Sequence, residues 1–597
     1  MMGDATGSAH ATGTADAWRL RPGVAVTLLR NGLHLRGRRG SVTLEGSTAL
    51  PTLWRLLEEP LRTGDATELL RRAEPGSSVR KALDTLIAQL RAHDLLVEAP
   101  VGPVPHWVAA TAERPAEAAS AIAAARARVL ADAAASPLAE AAGRALSQGG
   151  ASVSYAVGTP PHEGAVLLCA GEGEEQWAVA AGVCGGSGYV TAPGSAAQVR
   201  ADAAALAARL VPAVPASSAS PSSASPSTSA AFVSLLAGSA AHRLLCAVGG
   251  LPDPASEGDD QRLLPGLPAV LVADGRPLRA DYRTWLGPDR LDADRRVALA
   301  PPGTLAEALV RVAALGDERA GVLPAPLPGG LRQLPVPLAT CELPGGTVLA
   351  GAPRLDLARL DAFCRAAEVR LGGACRAVGA NPSHAWGRAL RRAAAGTTAP
   401  APGAAPLPAA HWSEHPQARH WWTSLTERQG VRARLEVFRA HPDEDVHHAV
   451  VCRHPAEGGP ERDLGQVLGR AVEATPGDAA AFAALSAVAA VSAAGEEPNV
   501  RYFCGSDGSA AALAAVNART AAWEDSGWTT GWLSEVARRE PALHTALHRL
   551  TGLRAEESAV AEETAMADET SVAGERELAA RLRAFGFTVL TAEEGER

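Results

Sequence analysis

Apolar and polar positions are patterned most clearly near the amino end. Val24 to Arg30 alternates loosely and is followed by Asn31-Gly32, a dipeptide suited to a two-residue hairpin turn. Leu33 and Leu35, then Val42 and Leu44, mark two further strands of period two, with Gly37 and Gly40 between them for a second turn. The spacing then changes to helical. Leu53, Trp54, Leu56 and Leu57 form the apolar face of a first helix. Asp65 is placed to cap a second helix that holds Leu69 and Leu70, and Pro75-Gly76 breaks it. Ser77 or Ser78 caps a third, in which Val79, Leu83, Leu86, Ile87 and Leu90 recur on one side. Three strands and three helices make a winged-helix-like module.

Farther along, a strand at Val129-Leu130, a helix from Pro137 to Gln148 closed by Gly149-Gly150, and a strand at Ser152 to Val157 read as a βαβ unit. Gly164 to Cys169 and Ala269 to Ala273 continue as buried strands. Three stretches read as breaks: the Pro/Ser/Ala segment 213–231, the Gly/Pro/Ala segment 393–409 and the acidic segment 556–575. A helix-plus-strand pattern from Glu577 through Phe587 to Leu590 closes the chain. The expected fold class is multi-domain α/β (α+β). Its parts are a recognition-type module at 18–99, a central domain at 100–316 with an insertion at 213–231, a third region at 317–555 with a linker at 393–409, and a tail at 556–597.

Composition narrows the chemistry. The 597 residues are 47% hydrophobic and 20% charged, as in ordinary globular chains. The net charge of −9 argues against nucleic-acid binding through bulk electrostatics. Lys81 is the sole lysine, and no Gly-rich loop precedes it, which argues against both a P-loop and Schiff-base catalysis. The 8 cysteines form no C-x-x-C pair, which argues against a Cys₄ zinc site. No signal peptide and no run of 18 uninterrupted apolar residues is expected, so the thiols are read as reduced in a cytoplasmic protein with no membrane partner.

The order of elements between Trp18 and Glu98 resembles the RiPP recognition element, the PqqD-like module that captures leader peptides of ribosomally made natural products. The resemblance implies that a precursor leader adds as a strand along Ser41, Val42, Thr43, Leu44 and Glu45. It also implies contacts with Val79, Arg80, Lys81, Leu83, Asp84, Ile87 and Arg91 of the third helix. Charge agrees with an acidic guest: this stretch carries thirteen Arg/Lys against nine Asp/Glu, a balance of +4 on a chain of −9.

The central βαβ unit, together with the segment from Pro268 to Trp285, resembles the ThiF fold in the form found beside azoline-forming cyclodehydratases. Where a Gly-rich phosphate loop would stand, the chain has Asp132-Ala133-Ala134-Ala135-Ser136-Pro137, whose Cβ atoms and proline oppose a phosphate. Gly321-Val-Leu-Pro, Gln333-Leu-Pro-Val-Pro and the helix Leu357 to Leu371 resemble the start of a YcaO domain, over Asp317 to Ala394. YcaO enzymes activate a backbone amide with ATP, and their glutamates hold Mg²⁺. Here the nearest equivalent, Ala366-Ala367-Glu368-Val369-Arg370, has one glutamate where two are wanted, so the region reads as a degenerate copy.

Taken together, the chain resembles the ocin-ThiF-like partners of thiazole/oxazole-forming cyclodehydratases, as in thiopeptide-type pathways. The resemblance implies a non-catalytic, cofactor-free scaffold that delivers a precursor to a separate YcaO cyclodehydratase subunit, with a second copy of the chain as a further candidate partner. Two alternatives stay open: an ATP-dependent cyclodehydratase in its own right, and a winged-helix DNA-binding regulator. Other motifs read as structural. His411 and His415 have i, i+4 spacing, but Pro416 interrupts a helix there. Cys364 sits on an apolar stripe with Leu360, Phe363 and Ala367.

Overall fold

The computed structural model describes residues 18–98, 104–133, 136–171, 176–210, 229–256, 260, 263–264, 267–285, 299–317, 319–373, 375–397, 405–454, 466–494, 500–516, 529–557 and 569–593. The chain divides into two compact units, one of Met1–Asp259 with Ala269–Tyr282 and one of Asp260–Pro268 with Arg283–Arg597. Both mix helices with several sheets, in agreement with the multi-domain α+β class.

The first unit opens with β1 (Trp18–Leu20), β2 (Ala25–Leu29), β3 (Gly32–Gly37) and β4 (Gly40–Glu45), then α1 (Leu50–Thr63), α2 (Ala66–Arg72), α3 (Ser78–Ala92) and β5 (Leu96–Glu98). Strands β2, β3 and β4 form an antiparallel sheet in that order. β1 and β5 form a second, two-stranded sheet that the alternation in the sequence does not announce. Leu29 pairs with Gly32, so the first turn is Arg30-Asn31, one residue earlier than the Asn-Gly signal suggests. Gly32 has a different role: a Cβ there would stand 2.3 Å from the Leu44 carbonyl oxygen, so only glycine allows β4 to approach. On α1 the 100° step places Trp54, Leu57 and Leu61 in the core and leaves Leu56 half exposed, unlike the face drawn from the sequence. Ser77 caps α3 by accepting from the Arg80 amide. Asp65 precedes α2 but makes no side-chain cap bond.

One ion node pins this module to the helix that follows, α4 (His106–Thr111). The buried Arg21 guanidinium donates to Asp94 Oδ1 at 2.7 Å and to the Ala112 carbonyl at 2.6 Å. Asp94, whose φ is +58°, also takes Arg38 at 2.5 Å and Arg39 at 3.3 Å from the tip of the β3–β4 hairpin.

After α5 (Pro115–Ala124) come β6 (Arg126–Ala131), α6 (Pro137–Gln148) and β7 (Ser152–Val157), the expected βαβ unit with a parallel β6–β7 pair. The sheet then departs from a doubly wound one. β8 (Ala165–Ala170), β9 (Trp177–Cys184), β10 (Ser187–Val190), β11 (Ala269–Gly275) and β12 (Leu278–Thr284) complete the order β12-β11-β10-β9-β8-β6-β7. The pairings β6–β8, β8–β9, β9–β10 and β10–β11 are antiparallel, so the Rossmann-like reading is confined to one crossover. Helices α7 (Ala196–Leu210) and α8 (Ala230–Val248) pack on β9. Residues 213–228 of the expected insertion lie outside the described residues; Ser229 to Ala231 instead start α8, with Ser229 accepting from the Phe232 amide.

The second unit contains α9 (Leu305–Leu315), β13 (Leu338–Leu343), β14 (Gly346–Gly351), α10 (Leu355–Arg370), β15 (Arg376–Gly379), α11 (Pro382–Thr397), α12 (Pro416–Thr423), β16 (Ala433–His441), β17 (Glu444–Arg453) and β18 (Val467–Glu473). α13 (Pro476–Ala494), β19 (Val500–Gly505), α14 (Ala511–Ala515), α15 (Thr529–Thr551), β20 (Arg554–Glu557), α16 (Glu569–Ala584) and β21 (Thr588–Glu593) follow. Three small sheets, β13-β14-β19, β15-β21-β20 and β16-β17-β18, surround α13 and its neighbours. α13 is apolar on every side and is accordingly buried along nearly its whole length. α8 and α13 are long and apolar enough to cross a membrane, yet each is packed within its unit.

Two expected breaks are partly structured. Residues 393–397 complete α11, while 398–404 lie outside the described residues. Residues 558–568 likewise lie outside them, but 569–575 begin α16, which leads into the expected terminal strand β21. His415 is the side-chain cap of α12, accepting from the Ala418 amide, which accounts for its place beside Pro416.

Replacing Asp94 with alanine leaves the buried Arg21 guanidinium without its counter-charge. The expected loss is about 3 kcal/mol in the first unit, read as an earlier urea transition. A midpoint equal to that of the parent chain would contradict the anchoring role.

Candidate functional site

Two places concentrate unusual chemistry, one in each unit. The first is the free side of β4. Gly46 donates to the Asn31 carbonyl at 3.2 Å, and alternation along the ladder then makes Leu33–Leu44, Leu35–Val42 and Gly37–Gly40 the hydrogen-bonded pairs. The amides and carbonyls of Ser41, Thr43 and Glu45 therefore point away from β3. β4 is the end strand of its sheet, so these groups meet no neighbouring strand among the described residues. The side chains of Ser41, Thr43 and Glu45 are exposed, while Val42 and Leu44 lean onto the core. The Thr43 hydroxyl lies 2.9 Å from His34 Nδ1.

The helix residues divide by face. Val79 and Lys81 are exposed on the first turns of α3. Arg80 pairs with Asp84 at 3.0 Å and also donates to the Leu70 carbonyl. Arg91, at the far end, lies with its guanidinium 4.1 Å over the Trp18 ring. Leu83 and Ile87 differ from the expectation of peptide contact: they are buried in the module core, because they share the inward stripe with Leu86 and Leu90. No hydrogen bond or ion pair links the strand residues to the helix residues among the described residues.

The second place is a buried charge cluster where α10, α11, β18 and α15 meet. Glu368 accepts from Arg365 at 3.2 Å, Arg392 at 2.6 Å, Arg388 at 3.2 Å and the Val378 amide at 3.2 Å. Arg388 also reaches Asp361 at 3.1 Å. Arg391 grips Glu473 through two nitrogens, at 2.9 and 2.8 Å, and takes Glu540 at 2.7 Å. Burial would raise the Glu368 carboxyl, but Arg388, Arg392 and Arg365 outweigh it and hold it below the usual range. Asp361 has fewer cations, and burial pushes it up to about 7. Beside them, fully buried His384 accepts from the Ala380 amide through Nδ1, and burial lowers it to about 3.

The YcaO resemblance implies a magnesium–nucleotide site in this region. The side chains do not fit a divalent cation: all four inner carboxylates, Asp361, Glu368, Glu473 and Glu540, are engaged by guanidinium groups. Among the described residues no cluster of three or more His, Cys, Asp or Glu is arranged to hold a metal. Three thiols of this unit are equally unsuited to catalysis: burial raises Cys364 far above its ordinary range and Cys341 and Cys504 up to about 12.

Apart from Glu368, sequence reading missed this cluster. Its signal was available in Arg388-x-x-Arg391-Arg392, three arginines on one face of α11 at i, i+3 and i+4, a face that carries no apolar core residue if it is exposed.

No family model matches the sequence, and no curated protein matches it. Among solved structures, the chain is similar to a heterocyclase in complex with substrate and cofactor, at 12% identity and a TM-score of 0.48, covering 97% of this chain and 95% of that one. Another is the heterocyclase TruD, at 12% identity and a TM-score of 0.44, covering 98% and 95%. Both of those proteins are heterocyclases, enzymes, against the expectation of a non-enzymatic partner protein here. That expectation rested on the missing glutamates and phosphate loop, and loss of those ligands does not remove every route to catalysis.

The cluster carries opposed pH dependences. His384 is neutral in the folded chain down to about 3, whereas the unfolded chain protonates near 6.5, so its contribution falls as pH falls between those values. Asp361 binds its proton more tightly in the folded chain, at about 7 against 3.8, so its contribution is lost as pH rises through that window. Urea midpoints measured across the window should fall less steeply on acidification for H384Q, and less steeply on alkalinisation for D361N. Profiles parallel to the parent chain would contradict this assignment.

Proposed function

We propose that the chain is a heterocyclase-type enzyme acting in ATP-dependent cyclodehydration of a ribosomally made precursor peptide, which it captures by the leader along β4. The observation that carries this reading is the open edge at Ser41, Thr43 and Glu45: three outward sets of backbone groups, a β-strand in length, with no partner strand among the described residues. An extended peptide satisfies those groups by main-chain pairing, and exposed Val79 and Lys81 on α3 supply apolar and cationic contacts for an acidic, amphipathic leader.

Capture has a kinetic consequence. Once the leader is held, the precursor's Cys, Ser or Thr residues reach the reacting site at high effective concentration, so that site needs little affinity for any one of them. Each ring forms when a thiol or hydroxyl adds to the preceding amide carbon and the amide oxygen departs. ATP would supply the phosphoryl group that carries that oxygen away, with net loss of one water from the peptide.

The test uses the full chain with a precursor and with its leader alone. Thr43→Pro removes one outward N–H and should weaken leader binding about tenfold, the worth of one to two hydrogen bonds. Lys81→Glu should weaken it in a salt-dependent way. Incubation of the full chain with precursor and ATP should give stepwise loss of water by mass spectrometry, abolished when the leader is deleted. Unchanged leader affinity in both variants, or salt-sensitive binding of duplex DNA in place of the leader, would overturn the reading.

A further inference from the structure

The seven-stranded sheet of the first unit is covered unequally on its two faces. On one face α6 packs on β6 and β7, α8 packs on β8 to β11, and the two helices pack on each other. Ala127, Val129 and Ala131 of β6 join the core there. α7 packs on β9 and β10, and its Val199, Ala203 and Leu206 are buried outside that core, on the other face. The second face of β6 and β7 is open: Arg126, Arg128, Ser152 and Ser154 are exposed on it. A parallel pair is ordinarily buried on both faces, so this polar surface is a departure.

A cavity of about 1260 Å³ lies against the open face, bounded by the end of α5, by Trp177 at the start of β9 and by Ser195 before α7. Its charged lining is Arg126 and Arg128. Among the described residues no Asp or Glu lines it, and neither guanidinium makes an ion pair or a hydrogen bond. A third arginine stands on the same side: Arg200 of α7 reaches past the end of β7 and donates to the Thr159 carbonyl at 2.6 Å. Burial pushes the Cys169 thiol up, and Arg128 and Arg200 both pull against that shift, so both cations stand close to Cys169, the cross-strand partner of Arg128.

We propose, on the reading that β4 captures the leader, that this open face is a second docking surface for the same guest, taking an acidic stretch of the leader that lies beyond the segment paired with β4. Arginines without internal partners attract carboxylates, and their planar forks bond both carboxylate oxygens at once. Trp177 is 43% exposed beside them and offers an anchor for an apolar side chain. Tryptophan and arginine are the residues on which binding energy concentrates at protein interfaces. The volume exceeds that of most small-molecule pockets, which suits a length of chain. The place also differs from the nucleotide position of a ThiF-like fold: Arg126 opens β6, whereas Asp132 to Pro137 follow its other end. A leader held at two places gains effective concentration at each, so modest contacts suffice at both.

The test follows a fluorescein-labelled peptide of Glu-Glu-Leu repeats by fluorescence anisotropy with the full chain. The peptide should bind, added salt should weaken it, and a Lys-Lys-Leu counterpart should not bind. Arg128→Glu should weaken it about tenfold, and Trp177→Ala should act in the same direction, with circular dichroism showing that both variants fold. Thr43→Pro should retain the binding. Binding lost in Thr43→Pro and kept in Arg128→Glu would place the peptide on β4, overturning the second surface while leaving capture along β4 standing. An affinity unchanged in Arg128→Glu, or tighter binding of oligothymidylate than of the peptide, would also overturn it. The β8–β9 connection carries Glu172, Glu174 and Glu175, the chain's own competitors for these arginines. Binding that appears only after all three are replaced by glutamine would assign the arginines to that connection and overturn the proposal.

Discussion

An unpaired strand edge is a hazard in most proteins, because its backbone groups pair with any extended chain they meet. The free side of β4 is tolerated here for physical reasons visible around it. The strand is six residues long, its tip carries Arg38 and Arg39, and it ends at Glu45. The tip is also held: Asp94 and Glu113 take the two arginines, and Asp94 is itself fixed by buried Arg21. The edge is therefore short, flanked by charge and rigid at one end. A rigid edge loses little entropy when a guest strand adds to it, which is the condition for useful affinity from main-chain bonds alone.

The second unit depends on a related constraint. Carboxylates taken out of water must be neutralised, and this chain neutralises them with arginine. The consequence is geometric. Each guanidinium that pairs inward is locked against its carboxylate. The near-absence of lysine along the chain agrees with this use of cationic side chains as planar structural elements.

Much of the first unit was legible because its elements are local. Period-two alternation located β2, β3 and β4, helical spacing located α3, and Ser77 marked its start. What escaped was set by contacts distant in sequence. β1 and β5 pair across the whole module, Gly32 is required by β4 rather than by a turn, and Leu83 and Ile87 proved to face the core. The antiparallel character of the central sheet was equally hidden, since burial on both faces erases alternation in β8 and β9. In the second unit, Glu368 was weighed as a metal ligand from its neighbours in sequence, while two of its partners, Arg388 and Arg392, lie on α11, twenty residues or more away.

Amide hydrogen exchange of the full chain, with and without a saturating precursor leader, tests the central claim most directly. The account predicts new protection at Ser41, Thr43 and Glu45, whose amides point outward, and little change at Val42 and Leu44, whose amides are already bonded to β3. Protection gained elsewhere, with those three amides exchanging as fast as before, would contradict it.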